Sequence, residues 1–317
     1  HFDVTIVFKK NLTGVFMKFG FLIDPKAFRC AGFRIDPVME FDSILEDFFK
    51  TVSVSNGWFY GPKIELSKSS VEKQNFEANA PIVHKSFFQM NSTHEITSTE
   101  DYSDDHLRFL ILGYGFLQGL YLTPEGYSYL GRTAYEPNKL NGLLLNRDDY
   151  INGMQCINRF YIDSNEEKRN QMFACIHWYL ISQNYEFTWD KFDAHYKVMD
   201  GIWSLSGIAE ANKRHKRNYI PHPERPVKLA EKYGLILPSW AELDSNKKSK
   251  LSKLRNALVH EAKYGGYPIG YSYPDENYSL EFISFNTKLI AAALGINTPY
   301  LRVELNNKLL RRWDINP

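Results

Sequence analysis

The chain lacks most of the features that mark a secreted or membrane protein. It has three cysteines, Cys30, Cys156 and Cys175, in 317 residues, and so few, odd in number, do not form a disulfide framework. Its most apolar run, 109–117, is far shorter than the roughly 20 residues that a transmembrane helix needs. No secretory signal is recognisable at its start. We therefore expect a cytoplasmic protein without disulfide bonds and without a membrane role.

An excess of charge of one sign is also missing. The 38 Lys and Arg residues nearly balance 37 Asp and Glu residues, so the formal net charge is +1. Any affinity for nucleic acid must therefore come from local basic patches. The motifs of phosphate-binding loops, serine hydrolases and zinc peptidases are absent, and Cys175 and His177 have no second ligand pair at zinc spacing. We expect neither a metal nor a cofactor.

Residues 1–146 carry the alternation that is typical of β-strands. Apolar side chains recur at every second position in 2–8 and 15–21, and the intervening Asn and Gly predict a hairpin. Helical spacing is confined to 41–52. Further strands are predicted at 58–66 and 82–90, a loop or domain boundary at 91–105, and an apolar segment of ambiguous structure at 103–122.

From residue 147 onward the pattern is almost wholly helical. The predicted helices are 148–162, 165–184, 188–206, 224–233, 245–261, 279–294 and 299–310. The sequence thus predicts an α+β protein with a β-rich N-terminal domain at 1–146 and an all-α helical bundle at 147–317.

One short stretch of the last third combines residues suited to chemistry. Arg255 is followed directly by Asn256 and, five positions after the arginine, by His260. On an ideal helix Arg255 and His260 stand about 140° apart and roughly 7.5 Å along the axis. We therefore expect that the pair of one chain does not converge on a single atom. Leu251, Leu254 and Leu258 mark the stripe expected to be buried, with Arg255 at its edge.

These residue types suit RNA cleavage without a metal. Histidine, whose unperturbed pKa is about 6.5, can move a proton at the 2′-hydroxyl or at the leaving 5′-oxygen. A guanidinium supplies a fixed cation for the charge of the transition state, and Asn256 could orient the histidine or a phosphate oxygen. The alternative is structural: an arginine in a surface ion pair and a histidine at a frayed helix end.

The motif and its surroundings resemble the HEPN domain family, whose pattern is an arginine and a histidine with four to six residues between them. The similarity to the ApeA-like branch of bacterial anti-phage proteins covers 165–295, through the helix at 189–203, the segments 222–226 and 232–235, Pro238-Ser239-Trp240 and Gly265–Gly270. The resemblance implies a helical, usually dimeric domain in which Arg255 and His260 of two copies form one metal-independent ribonuclease site.

These observations lead to a specific expectation. The protein is predicted to be a homodimeric endoribonuclease of anti-phage defence, in which Arg255 and His260 are catalytic and Asn256 supports them. Its N-terminal domain is predicted either to sense an unknown, possible phage-derived trigger or to select the substrate. The alternative is a non-catalytic HEPN module for dimerisation or RNA binding. The predicted RNA-binding residues are Lys213, Arg214, His215, Lys216, Arg217, Tyr219 and Lys253; a solvated loop is the other interpretation of the run 213–217.

Overall fold

The structure is a computed structural model. It describes residues 15–51, 53–61, 87–138, 143, 145–146, 149–214, 219–270, 279–304 and 312–315. The strands are β1 (Phe16–Gly20), β2 (Phe28–Cys30), β3 (Phe33–Pro37), β4 (Val54–Ser55), β5 (Trp58–Tyr60), β6 (Phe87–Phe88), β7 (His94–Ser98), β8 (Thr123–Pro124), β9 (Tyr129–Leu130), β10 (Arg132–Ala134), β11 (Lys263–Tyr264) and β12 (Tyr267–Pro268). The helices are α1 (Phe41–Phe49), α2 (Asp104–Gln118), α3 (Asp149–Asp163), α4 (Glu166–Ile181), α5 (Thr188–Leu205), α6 (Ile208–Arg214), α7 (Arg225–Tyr233), α8 (Lys250–Glu261) and α9 (Ser279–Ala293).

The N-terminal region is built on an antiparallel sheet whose described strands run in the order β2-β3-β7-β1-β8. Its middle strand, β7, lies in the segment that the sequence predicted as a loop or boundary, and that prediction is wrong. The reason is that His94, Ile96 and Ser98 all point into the core and are no more than 1% exposed, while polar side chains alternate with them. A polar composition concealed a buried strand. The first predicted strand, 2–8, and most of 62–86 lie outside the described residues.

Helix α2 resolves the ambiguity of 103–122. The Ser103 side chain accepts a hydrogen bond from the backbone N–H of His106 and caps the helix. The helix is apolar on every side because it lies between the sheet and the helical region. Its glycines permit that close packing: a Cβ on Gly113 would lie 2.7 Å from Cγ2 of Ile157 in α3. Gly113 and Gly115 are therefore sites of close packing in this helix.

The C-terminal region is helical, so the fold is α+β with strands first and helices second. Helices α3, α4, α5, α7 and α9 match the predicted positions within a few residues. The helix predicted at 299–310 is wrong for 299–302, which form a single 3₁₀ turn at Pro299–Arg302; positions 305–310 lie outside the described residues. None of the helices in the described part of the chain combines the length and the apolar character needed to cross a membrane.

One continuous hydrophobic core crosses the predicted boundary at 146/147. Asn158 of α3 connects the two regions through polar contacts: its Nδ2 donates to the carbonyl oxygen of Ala31 at 3.2 Å and to the Tyr102 hydroxyl at 3.0 Å, and its Oδ1 lies 2.8 Å from Nε2 of His106. A bridge also joins Leu145 to Trp313. The division into two domains stays a prediction, and the contacts show that the two regions share one interior.

Candidate functional site

The start of α8 is fixed by two serines. The Ser249 hydroxyl accepts from the backbone N–H of Ser252, and the Ser252 hydroxyl accepts from the backbone N–H of Ser249, which is a reciprocal capping box. The helix consequently begins at Lys250, five residues later than predicted. The residues before it form a turn, because the Asp244 carboxylate accepts from the backbone N–H groups of Asn246 and Lys248 and so competes with helix formation.

The end of α8 is equally well defined. Ala262 adopts the left-handed conformation with φ of 51° and stops the helix directly after Glu261. The chain then turns back as the hairpin β11–β12, whose turn residues Gly265 and Gly266 have φ of 60° and 86°, as a tight hairpin requires. Tyr264 is only 2% exposed and anchors the hairpin. His260 therefore lies in the last turn of a helix that is capped at both ends.

Arg255 and His260 of one chain are in contact, contrary to the separation expected from ideal helix geometry. Nη1 of Arg255 lies 3.5 Å from Nε2 of His260 and donates to Oδ1 of Asn256 at 3.3 Å. The helical positions of the two residues do diverge, but the arginine side chain is long enough to follow the helix surface to the histidine. Since a guanidinium only donates, this contact suits the neutral histidine whose Nε2 is an acceptor.

The predicted faces of α8 agree with the structure. Leu251 and Leu254 are buried, at 1% and 5% exposure, and Leu258 is half-buried. Arg255 lies at the edge of this buried stripe, whereas Asn256 and His260 are exposed. The three motif side chains are thus held by a helix that is packed through one face, and they remain accessible to a large ligand.

Arg255 also forms the rim of an open groove of about 470 Å³ between α4, α5 and α8. We call this groove, with Tyr196, Asp200, Arg255 and Val259 among its lining residues, the motif groove. The Arg255 guanidinium carbon lies 5.7 Å from the centre of the Tyr196 ring, a distance at which a cation and a ring attract each other. Burial raises the pKa of Tyr196 to about 12, so its hydroxyl stays protonated at neutral pH.

Three further residues lie at this site that the sequence did not identify. Arg225 donates to Asp200 at 2.8 Å, and Nδ1 of His222 lies 3.6 Å from the same carboxylate. Burial lowers the pKa of His222, and the positive charges of Arg225 and Arg255 lower it further against the opposing effect of Asp200. His222 and Arg225 belong to the segment 222–226 on which the family resemblance partly rests, so that segment offered the only sequence signal.

The predicted RNA-binding residues are spread over the surface. Tyr219 is 73% exposed, and its hydroxyl accepts from Nη2 of Arg225 at 3.4 Å. It therefore lies beside the group formed by Asp200, His222 and Arg225. Lys253 is exposed and pairs with Asp244 at 2.8 Å. Lys213 and Arg214 form the end of α6. His215, Lys216 and Arg217 lie outside the described residues.

Among the residues that the structure describes, no three His, Cys, Asp or Glu side chains are arranged to hold a metal ion. The Asp200 carboxylate and His222 are the nearest approach to such a cluster at the motif groove, and the carboxylate is already paired with Arg225. Comparisons with protein-family models, with curated proteins and with solved structures find no match. The HEPN resemblance therefore rests on the motif and its surroundings.

Proposed function

We propose that the protein is a metal-independent endoribonuclease of the HEPN type that acts in bacterial anti-phage defence. The observation that carries the proposal is the contact between Nη1 of Arg255 and Nε2 of His260 at the rim of an open groove. It places a proton acceptor beside a fixed cation where a polymer can reach both, and cleavage of RNA needs that combination.

The reaction follows from these two groups. His260 takes the proton of the ribose 2′-hydroxyl as the 2′-oxygen forms a bond to phosphorus. The bond from phosphorus to the 5′-oxygen breaks, and the leaving oxygen takes a proton from water or from His260 of a second copy. The Arg255 guanidinium donates hydrogen bonds to the phosphate oxygens as negative charge develops on them. The products are a 2′,3′-cyclic phosphate and a free 5′-hydroxyl.

A homodimer remains part of the proposal, although its support has changed. The separation of Arg255 and His260 no longer requires a second chain. The surface around His260 does suit one, because the apolar side chains of Val259, Tyr267 and Ile269 are 50%, 36% and 40% exposed. A twofold contact there would bury these side chains and bring two motifs together. Light scattering at micromolar concentration should give twice the mass of the chain, and Val259→Asp should give the mass of one.

The deciding experiment is incubation of the purified protein with total RNA, with and without EDTA, followed by mapping of the new ends. We expect cleavage in both conditions and ends that carry a cyclic phosphate. Replacing the cut-site ribose by deoxyribose should prevent cleavage, because the nucleophile is then missing. His260→Ala should abolish cleavage without unfolding the protein, since His260 is exposed and contributes little to the core.

A matched control is available at the same helix end. Glu261→Ala removes an exposed neighbour whose partner is Lys263 at 3.1 Å, and it should leave the rate nearly unchanged because exposed ion pairs contribute little. Cleavage that needs a metal, or full activity in His260→Ala, would contradict the proposal.

A non-catalytic module for dimerisation or RNA binding is the second candidate, and one observation favours it. The motif groove contains the carboxylates of Asp193 and Asp200, whose negative charge opposes the entry of a phosphate. In that case the purified protein would bind RNA without cutting it, and His260→Ala would retain the affinity of the unaltered chain. The N-terminal region would then serve to recognise a trigger without control of any catalysis.

A further inference from the structure

A second cleft lies on the seam between the sheet region and the helical region. It has a volume of about 540 Å³ and is lined by α2, by the segment 121–127 and by the first turns of α4. We call it the junction pocket. The residues used below are Asp105, Arg108, Tyr121, Tyr161, Glu166, Arg169, Phe173 and His177, which all line it. The motif groove shares no lining residue with it, and its volume is typical of small-molecule sites.

Two arginines contribute positive charge to the junction pocket. The guanidinium carbon of Arg108 lies 5.6 Å from the centre of the Tyr127 ring, and that of Arg169 lies 4.4 Å from the centre of the Tyr161 ring. The Nε atom of each is buried and has no hydrogen-bond partner. Within the described part of the chain, neither arginine has a carboxylate within 4.0 Å. Nη2 of Arg169 also donates to the carbonyl oxygen of Ile162 at 3.5 Å. The other donor groups of the two arginines are available to an anion.

Aromatic walls face these cations. Tyr161 is stacked on His106 with ring centres 3.9 Å apart, which fixes the ring under Arg169. On the other side, the Tyr121 hydroxyl lies 3.3 Å from Nδ1 of His177, and burial lowers the pKa of His177. A neutral imidazole and a phenol are uncharged hydrogen-bonding groups between apolar surfaces. Asp105 and Glu166 are exposed and lie toward the mouth.

The composition limits what can fill the junction pocket. An inorganic anion would pair with the arginines but leave the apolar surfaces of the aromatic side chains in contact with water. A purely apolar molecule would bury two guanidinium groups without hydrogen-bond partners, which costs free energy. The occupant needs an anionic group, a flat ring and several hydroxyl groups. We propose that the junction pocket binds a free nucleotide: its phosphate contacts Arg108 and Arg169, its base lies against the exposed rings of Tyr127 and Phe173, and its ribose hydroxyls donate to Asp105 or Glu166.

Calorimetric titration of the full chain tests this assignment without any measurement of RNA cleavage. The probes are AMP, GMP, CMP and UMP, with the four corresponding nucleosides, ribose 5-phosphate and inorganic phosphate as truncated forms. We expect at least one nucleotide to bind at least tenfold more tightly than each of its truncated forms. Because the ligand binds the folded state, saturation should also raise the melting temperature. A short RNA that displaces the bound mononucleotide as effectively as free mononucleotide does would contradict a site for the free nucleotide.

Three variants and one control locate the binding. Arg108→Gln and Arg169→Gln should each weaken nucleotide binding at least tenfold, while Arg159→Gln, which removes an exposed arginine of α3 outside the pocket, should not. Phe173, which is 37% exposed, lies at the rim of the pocket. If an arginine variant does not fold, Phe173→Ala tests the contact with the base and should weaken nucleotide binding. The proposal would be overturned if no nucleotide binds at millimolar concentration, if every nucleotide binds no more tightly than its own nucleoside, or if all folded pocket variants leave the affinity unchanged.

Discussion

The motif groove and the junction pocket are built in opposite ways. The residues of the motif come from one helix, within six positions of each other; Asn256 and His260 are exposed and Arg255 is half-buried. Those of the junction pocket come from α2, the segment 121–127, the end of α3 and α4, up to 72 residues apart, and the Nε atoms of its two arginines are buried. Substitutions at the motif groove should therefore change function without changing the stability of the fold. Substitutions at the seam around the junction pocket should change the stability as well.

This difference also decides what could be predicted from the sequence. Arg255, Asn256 and His260 were identifiable because helical spacing places them near each other whatever the rest of the fold does. Arg108 and Arg169 carry no such signal, since only the packing of α2 against α4 brings them together. The same holds for Asp200 with Arg225, which meet across two helices.

The fold shows the same limit. The helices of the C-terminal region were predictable from their periodicity, but β7 was not, because its inward-facing residues include His94 and Ser98 as well as Ile96. The His94 ring can be buried because the rings of Phe19 and Phe41 pack against it. The contact of Arg255 with His260 escaped prediction for a different reason: an ideal helix describes backbone positions, and a long side chain can cross 7.5 Å, the rough axial separation of the two residues.

The largest expected effect is a loss of stability in acid. It should come from the buried histidines of the core and not from the residues of the motif. Burial lowers the pKa of His195 to about 3 and those of His94 and His106 to about 4, against about 6.5 in the unfolded chain. Between these values the unfolded chain binds protons that the folded chain excludes, so stability falls as pH falls from about 6.5 towards 4. Each histidine contributes up to about 1.4 kcal/mol per pH unit.

Urea unfolding at pH 5.5 and 4.5 measures this slope, because the unfolded histidines are almost fully protonated throughout that range. The three histidines together predict a loss of about 4 kcal/mol over that unit, and His106→Gln should reduce the slope by about a third, because one of the three protonations is removed. Stability that does not change between the two pH values would mean that protonated histidines are accommodated in the interior.

The second effect separates function from stability at the motif. Arg255→Ala removes a donor that is proposed to act in the transition state, and loss of one such donor typically lowers the rate by about 10²–10³, or roughly 2.7–4 kcal/mol of barrier. The unfolding free energy should change little because the guanidinium is at the surface. Single-turnover cleavage and urea unfolding of the same preparation measure both quantities. Lys228→Ala, which removes an exposed ion pair with Glu231, is the control for loss of one positive charge.

The third effect is the opposite one: a substitution at the seam between the two regions should lower the stability and leave cleavage unchanged. Asn158→Ala leaves the carbonyl oxygen of Ala31 and the ring nitrogen of His106 without their buried partner, which should cost roughly 3 kcal/mol of unfolding free energy. Cleavage per folded molecule should be retained. Asn152→Ala is matched on the same helix, where its amide donates only to Asp149 at 3.2 Å. If the two variants are equally stable, the polar network at the seam does not hold the regions together.

The smallest effect concerns RNA affinity beside the motif, and two variants should change it in opposite directions. Lys253 donates to Asp244 at 2.8 Å, and this hydrogen bond is the main reason that the pKa of Asp244 is lowered to about 2. Part of the lysine charge is therefore neutralised by a neighbour. Lys253→Ala should weaken RNA binding a few-fold and reduce the salt dependence by about one phosphate contact. Asp244→Asn retains the acceptor oxygen that the turn at 244–248 needs but frees the ammonium group, so it should tighten binding a few-fold.

Filter binding at several salt concentrations, in a His260→Ala background that prevents cleavage, measures both variants. If both lower the affinity, or neither changes it, the RNA does not pass along this side of α8.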